Sequence, residues 1–108
     1  MEHINKIEIQ GIVGAVRTQV LFGELVSNFS VATDTIYRNK QGDSIAETMW
    51  HNVVVWQSKT STDLNKIEKG IPVHVSGRLR QTKYTDVHGE ERVFHEILAN
   101  ELNIIDDD

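Results

Sequence analysis

Between Thr48 and Gln57 the chain can bury only one side of an extended strand, because Val53 and Val55 share one parity and Trp50 and Trp56 share the other. Alternate side chains of a strand lie on one face, so a valine core face turns both tryptophans outward together. The same period of two recurs along the chain. Lys6 to Gln10 alternates polar with apolar and runs into Gly11-Ile12-Val13-Gly14, two glycines where a strand bends, bulges or meets another backbone. Leu25 to Tyr37 is rich in β-branched residues, with Phe29, Val31 and Thr33 on one parity, and ends in the turn-forming Arg38-Asn39-Lys40-Gln41-Gly42-Asp43. Val73, Val75, Gly77 and Leu79 alternate with His74, Ser76, Arg78 and Arg80, and a polar loop from Tyr84 to Glu91 leads into a last strand, Arg92 to Ile105. A helical signal occurs in one place. Thr60-Ser61-Thr62-Asp63 offers caps, Leu64 and Ile67 stand three apart, and Gly70 falls where a helix stops.

Five strands with one short helix between the third and fourth predict an all-β, Greek-key OB-fold barrel, a fold with a face used for oligonucleotides or oligosaccharides. With 108 residues and 39% hydrophobic content, one such unit over residues 1–105 accounts for the chain, leaving 106–108 as a short acidic terminus. No apolar run approaches the roughly 20 residues of a membrane helix, and Met1 to Lys6 lacks the layout of a signal peptide. These features predict a cytoplasmic protein with no membrane partner, in which the Asn28-Phe29-Ser30 sequon is a chance match. The absence of cysteine excludes disulfides and thiolate metal sites, so stability has to come from packing and subunit contacts.

The net charge of −5 argues against a polyanionic ligand, but its distribution softens the objection. Residues 1–100 hold all eleven Lys and Arg against twelve acidic residues, a net of −1, so a basic stripe on a near-neutral body is compatible with the totals. Aromatics and cations are interleaved. Tyr37 precedes Arg38 and Lys40, and Tyr84 follows Arg78, Arg80 and Lys83. Cations suit a phosphate backbone and every base offers a π-face to an aromatic ring. Against this stands the plainer possibility that the tryptophans are core and the cations a solvated strand edge that discourages aggregation. The parity of Val53 and Val55 weighs against a tryptophan core, since a pair of outward tryptophans is costly unless something stacks on it.

Asn5-Lys6 leading into Gly11-x-x-Gly14, then Ala32-Thr33, Trp50-His51, Lys69-Gly70, Gly77-Arg78-Leu79-Arg80 and Lys83-Tyr84-Thr85-Asp86 occur in an order and spacing similar to those of bacterial-type single-stranded DNA-binding proteins. The resemblance covers nearly the whole chain. It implies base stacking on Tyr37, Trp50, Trp56 and Tyr84, phosphate contacts from Lys40, Arg80 and Lys83, with Arg17 a further candidate, and a place for His51 at a subunit interface. Asn52 and Thr82 stand where many members have arginine, which implies a weaker and less salt-sensitive grip on the backbone. It also implies a nucleoid-associated homo-oligomer, most often a tetramer and alternatively a dimer, that protects unpaired strands in replication, recombination and repair. The family's long linker and phenylalanine-containing acidic tip are not matched by Asp106-Asp107-Asp108, so the resemblance does not extend to recruitment of replication enzymes through a tail. In that respect the chain is also similar to a primosomal replication-restart accessory protein. An OB-fold turned to a protein or oligosaccharide partner is the third alternative.

Catalysis has no support in the residues. His88-Gly89-Glu90 has the H-x-E spacing of zinc deaminases, but those sites need cysteine ligands. The five histidines form no metal-ligand cluster in sequence, so neither a metal nor a cofactor is expected. Protonation of His51 at an interface predicts an assembly that loosens at low pH.

Overall fold

The alternating segments form five strands: β1 (Ile7–Leu21), β2 (Glu24–Arg38), β3 (Ser44–Trp56), β4 (Pro72–Thr85) and β5 (Glu91–Ile104). A computed structural model describes residues Met1 to Asp106; Asp107 and Asp108, the end of the expected acidic terminus, lie outside the described residues. The strands close into a barrel in the order β1-β2-β3-β5-β4. All pairings are antiparallel except β3 with β5, where Val53 to Val55 run parallel to Ile97 to Ala99 and complete the ring. This is the OB-fold arrangement expected from the element order. Phe29, Val31, Val53, Val55, Val73, Val75 and Ile97 fill the interior, most of them from the parities that the sequence assigned to it.

Two bulges decide which residues face inward beyond those positions. In β1 the register slips between Val13 and Val16, so Ile7, Ile9 and Val13 enter the core on odd numbers and Val16 on an even one. One extra residue flips every later side chain to the other face. The spare amide at the slip is satisfied, because Ala15 N donates to Ser30 Oγ at 3.1 Å. In β5 the slip leaves Asn100 unopposed between Glu101, which faces Ser76, and Ala99, which faces Gly77. Ile97 and Ala99 therefore point inward on odd numbers, and Leu102 and Ile104 on even ones. Gly77 sits across from that bulge at a spacing that admits no side chain.

The expected helix between β3 and β4 is reduced to single 3-10 turns, Gln57–Lys59 and Leu64–Lys66. Asp63 caps the second by accepting from Asn65 N at 3.0 Å, but the turn ends at Ile67 in extended backbone. Leu64 and Ile67 are both buried, so the three-residue spacing marked a plug for the end of the barrel. Leu79, placed by its alternation with the core, is instead 44% exposed. It lies at the barrel's open end with Ile7 and Ile97, where β4 and β5 leave the closed sheet as a hairpin arm.

That arm ends in a turn organised by Asp86. Its Oδ1 accepts from His88 N at 2.9 Å and Glu90 N at 3.0 Å, and its Oδ2 accepts from Arg92 Nε at 2.9 Å. Gly89, at φ +78°, takes the left-handed position that a side chain resists. The Arg92 contact, followed by the amide bonds, holds the Asp86 carboxyl below the ordinary aspartate value of 3.8. A lowered carboxylate stabilises the folded form above its unfolded pKa, and that contribution disappears as pH falls through the lower folded value. Amide exchange at His88 and Glu90 should consequently accelerate, beyond its intrinsic pH dependence, only below about pH 4. In Asp86→Asn, which loses the Arg92 ion pair, the acid step should vanish. An equal acid step in the variant would exclude Asp86 as its source.

Candidate nucleic-acid interface

Because Val53 and Val55 occupy the core, β3 presents Trp50, Asn52, Val54 and Trp56 on the outer face of the barrel. Trp50 is 60% exposed. The edge of its indole lies over the β1 bulge, where a Cβ on Gly14 would come within 2.5 Å of Trp50 Cζ3 and 2.7 Å of Ser30 Oγ. Glycine at the bulge thus makes room for an outward tryptophan. Trp56, half-buried, lines a cleft of about 330 Å³ with Val54, Lys59, Arg78, Arg80 and Leu98. The core face of a single strand forces both rings onto the outside, and the β4–β5 pairing brings the arginines to the second of them.

Directly opposed residues of an antiparallel pair share a face. Arg78 faces Leu98, Arg80 faces Glu96, Thr82 faces Phe94 and Tyr84 faces Arg92, so these eight continue the outer surface along the β4–β5 arm. Tyr84 is 51% exposed there. Lys83 pairs with Val93 on the reverse side of the arm, 3.8 Å from Glu91. Tyr37 pairs with Ile45 and shares its parity with Thr33 and Met49, opposite to Trp50 and Ala32. Lys40 lies in the turn beyond Arg38, where Asn39 Oδ1 accepts from Gln41 N and Asp43 N, each at 3.0 Å. Of the seven positions expected from the sequence, the fold brings Trp50, Trp56, Arg80 and Tyr84 onto one outer surface. Tyr37 and Lys83 occupy the reverse faces of two arms and Lys40 a hairpin tip.

The cations are unequal. Arg80 donates from Nε and a terminal nitrogen to Glu96 Oε1, the first at 2.8 Å, and the Glu96 carboxylate is nearly covered by this contact. Arg80 therefore reaches solvent with its charge largely offset. Among the described residues no carboxylate lies within ion-pair distance of Arg17, Lys40, Lys59 or Arg78. His51, on the inward parity of β3, bonds Thr33 Oγ1 through Nε2 at 2.9 Å and lines the open end of the barrel with His95, Met49 and Leu79. Among the described residues there is no group of three or more His, Asp or Glu arranged to hold a metal, and His88 contributes its amide to the Asp86 turn.

Residues 4–105 match the single-strand binding protein family. The chain belongs to that family. Two single-stranded DNA-binding proteins show how far the family likeness extends in sequence. That of Neisseria meningitidis serogroup A is 34% identical over 83 residues, covering 77% of this chain and 48% of the relative. That of Xanthomonas campestris is 31% identical over 106 residues, covering 94% of this chain and 60% of the relative. The chain thus spans about half the length of the curated relatives it matches. Among solved structures, the single-strand binding protein of Plasmodium falciparum in complex with single-stranded DNA superposes with a TM-score of 0.79 at 27% identity, covering 98% of both chains. The small single-stranded DNA-binding protein of Streptomyces coelicolor shares the fold, with a TM-score of 0.73 at 20% identity over 97% of this chain and 96% of the other.

Within this single-strand binding fold, three cations and one aromatic lie on the outer surface that the sequence motifs left with less weight or none. Lys59 and Arg78 flank Trp56, and Arg17 lies beside Phe94 in a second cleft on the same surface. Phe94 could have been found from parity alone. If Ile97 and Ala99 are core, residues 94, 96 and 98 face out. Lys59 had no such signal, since it lies in a turn whose position over Trp56 is a matter of the folded chain.

Proposed function

We propose that this chain binds single-stranded DNA through its outer face, stacking bases on Trp50, Trp56 and Tyr84 and holding phosphates with Arg78, Lys59 and Arg17. One observation carries this: Trp56 lines an open cleft together with Lys59, Arg78 and Arg80. A π-surface beside cations answers the two chemistries that alternate along a single strand, base and phosphate. A duplex would offer such a cleft its phosphates but not its base faces, which are stacked on one another. The family membership and the likeness to a structure solved with single-stranded DNA support the same assignment.

Tyr37, Lys40 and Lys83 are second-rank contacts in this proposal, reached by a strand that passes around the arms. Arg80 contributes chiefly by shaping the cleft, since Glu96 holds its guanidinium. The role is non-enzymatic: an unpaired strand is held and shielded during replication, recombination or repair. Residues 1–105 act as the binding unit. A homo-oligomer, with His51 and the open barrel end at the subunit contact, would let a strand pass across several barrels.

Titration with oligo(dT), followed by tryptophan fluorescence at low and moderate salt, tests the proposal. Saturable quenching that weakens as salt rises is the expected result. A folded protein whose fluorescence is indifferent to oligo(dT) at low salt would defeat it, and binding to a neutral glycan would then point to the other use of the fold.

A further inference from the structure

Next to the Trp56 cleft, and sharing Val54 with it, lies a second cleft of about 300 Å³ lined by Arg17, Asn28, Ser30, Asn52, Phe94 and Glu96. Its floor is built by register. Arg17 faces Asn28 and Asn28 faces Val54 in one row across β1, β2 and β3, while Ser30 faces Asn52 in the next. Phe94 closes the side formed by β5 and is 40% exposed. Three features set this cleft apart from an ordinary surface furrow. A phenylalanine ring faces solvent on a sheet whose core is already complete. Two carboxamides, those of Asn28 and Asn52, share its floor and among the described residues make no hydrogen bond, which leaves both free for a ligand. The one carboxylate, Glu96, is turned to Arg80, which removes a charge that would repel a nucleotide.

We infer that this cleft is a nucleobase subsite in which Phe94 stacks on the base, the Asn28 and Asn52 carboxamides hydrogen-bond its edge, and Arg17 holds the adjoining phosphate. The inference rests on the single-strand proposal and adds to it a cleft that holds a base by its edge as well as its face. A stacking surface by itself tolerates every base. A carboxamide presents a donor beside an acceptor, the pattern that complements the edge of an unpaired base, N6 and N7 of adenine as well as N3–H and O4 of thymine. Two such groups on one floor hold a stacked base by its edge as well as by its face. At the lower end of the roughly 300–1,000 Å³ typical of ligand clefts, the space suits a single base.

Equilibrium titrations with oligo(dA) and oligo(dT) of equal length test this in the native chain, in Phe94→Leu and in Asn28→Ala/Asn52→Ala. Phe94→Leu keeps an apolar side chain without the π-face and should weaken binding to both strands about tenfold. The asparagine variant loses hydrogen bonds to the edge of either base and should bind both strands about fivefold more weakly. Circular dichroism confirms that each variant is folded, and Phe94→Tyr, which restores an aromatic face, should recover native affinity. Binding by Phe94→Leu or by the asparagine variant within twofold of native overturns the subsite. If the native chain itself does not bind oligo(dT) at low salt, the single-strand proposal has failed, which separates the two.

Discussion

Trp50→Ala/Trp56→Ala should lose about 2–6 kcal/mol of binding free energy toward oligo(dT), at least about a thirtyfold drop in affinity, because each stacked base contributes ~1–3 kcal/mol. The expectation is large because the two rings stand on one face of one strand at separate places, Trp50 over the β1 bulge and Trp56 in its cleft with Lys59 and Arg78. Different bases would occupy them, so the losses should add. Neither ring belongs to the core, which on β3 consists of Val53 and Val55. The variant should therefore fold, with a melting temperature a few degrees lower for the half-buried Trp56. Competition with a labelled oligonucleotide gives the affinity without relying on the removed fluorophores. A folded double variant that binds within threefold of native would refute stacking at these positions.

A comparably large effect, on stability, is expected for Gly77→Val. A Cβ at Gly77 would stand 2.1 Å from Leu98 O and 2.8 Å from Ala99 Cα, both backbone atoms of the strand hydrogen-bonded to it. No rotamer change relieves such a contact; β4 and β5 would have to separate at the Asn100 bulge. Overpacking a well-packed site costs about 1–3 kcal/mol and more where backbone must move, so a loss of about 3 kcal/mol or greater is expected from the urea midpoint. Gly42→Ala makes the contrast. Its Cβ would meet nothing within 4 Å, and its φ of +84° alone sets a cost of about 1 kcal/mol. Gly77 itself is not in the left-handed region, so a loss in Gly77→Val no larger than that in Gly42→Ala would refute the close approach of the strands as the reason for glycine at 77.

The strands were legible because burial on one side of an extended chain leaves a period of two, and that period needs only neighbouring residues to be seen. Val53, Val55, Val73 and Val75 lie in the core on the parities their neighbours suggested. Where the register slips, the period fails. Leu102 and Ile104 enter the core on the opposite parity from Ile97 because Asn100 has no partner on β4, and a bulge depends on the facing strand. The helix was over-read for a related reason: caps and a three-residue spacing describe the start of any helical turn, while the number of turns depends on the distance that the connection between β3 and β4 has to cover.

The site divides in the same way. The sequence by itself determined that Trp50 and Trp56 face outward, since a half-buried strand has one core face and the valines occupy it. It determined as well which aromatic and basic residues are close along the chain. Proximity along the chain proved a poor guide to shared surface, because Lys83 and Tyr84 are adjacent and for that very reason point to opposite sides of the arm. Only the tertiary structure decided that Arg78 and Lys59 flank Trp56, that Arg80 is tied to Glu96, and that Phe94 closes a cleft over Asn28 and Asn52. Those contacts join residues from different strands, and they are set by how the barrel closes and where its bulges fall, quantities that no window of neighbouring residues contains.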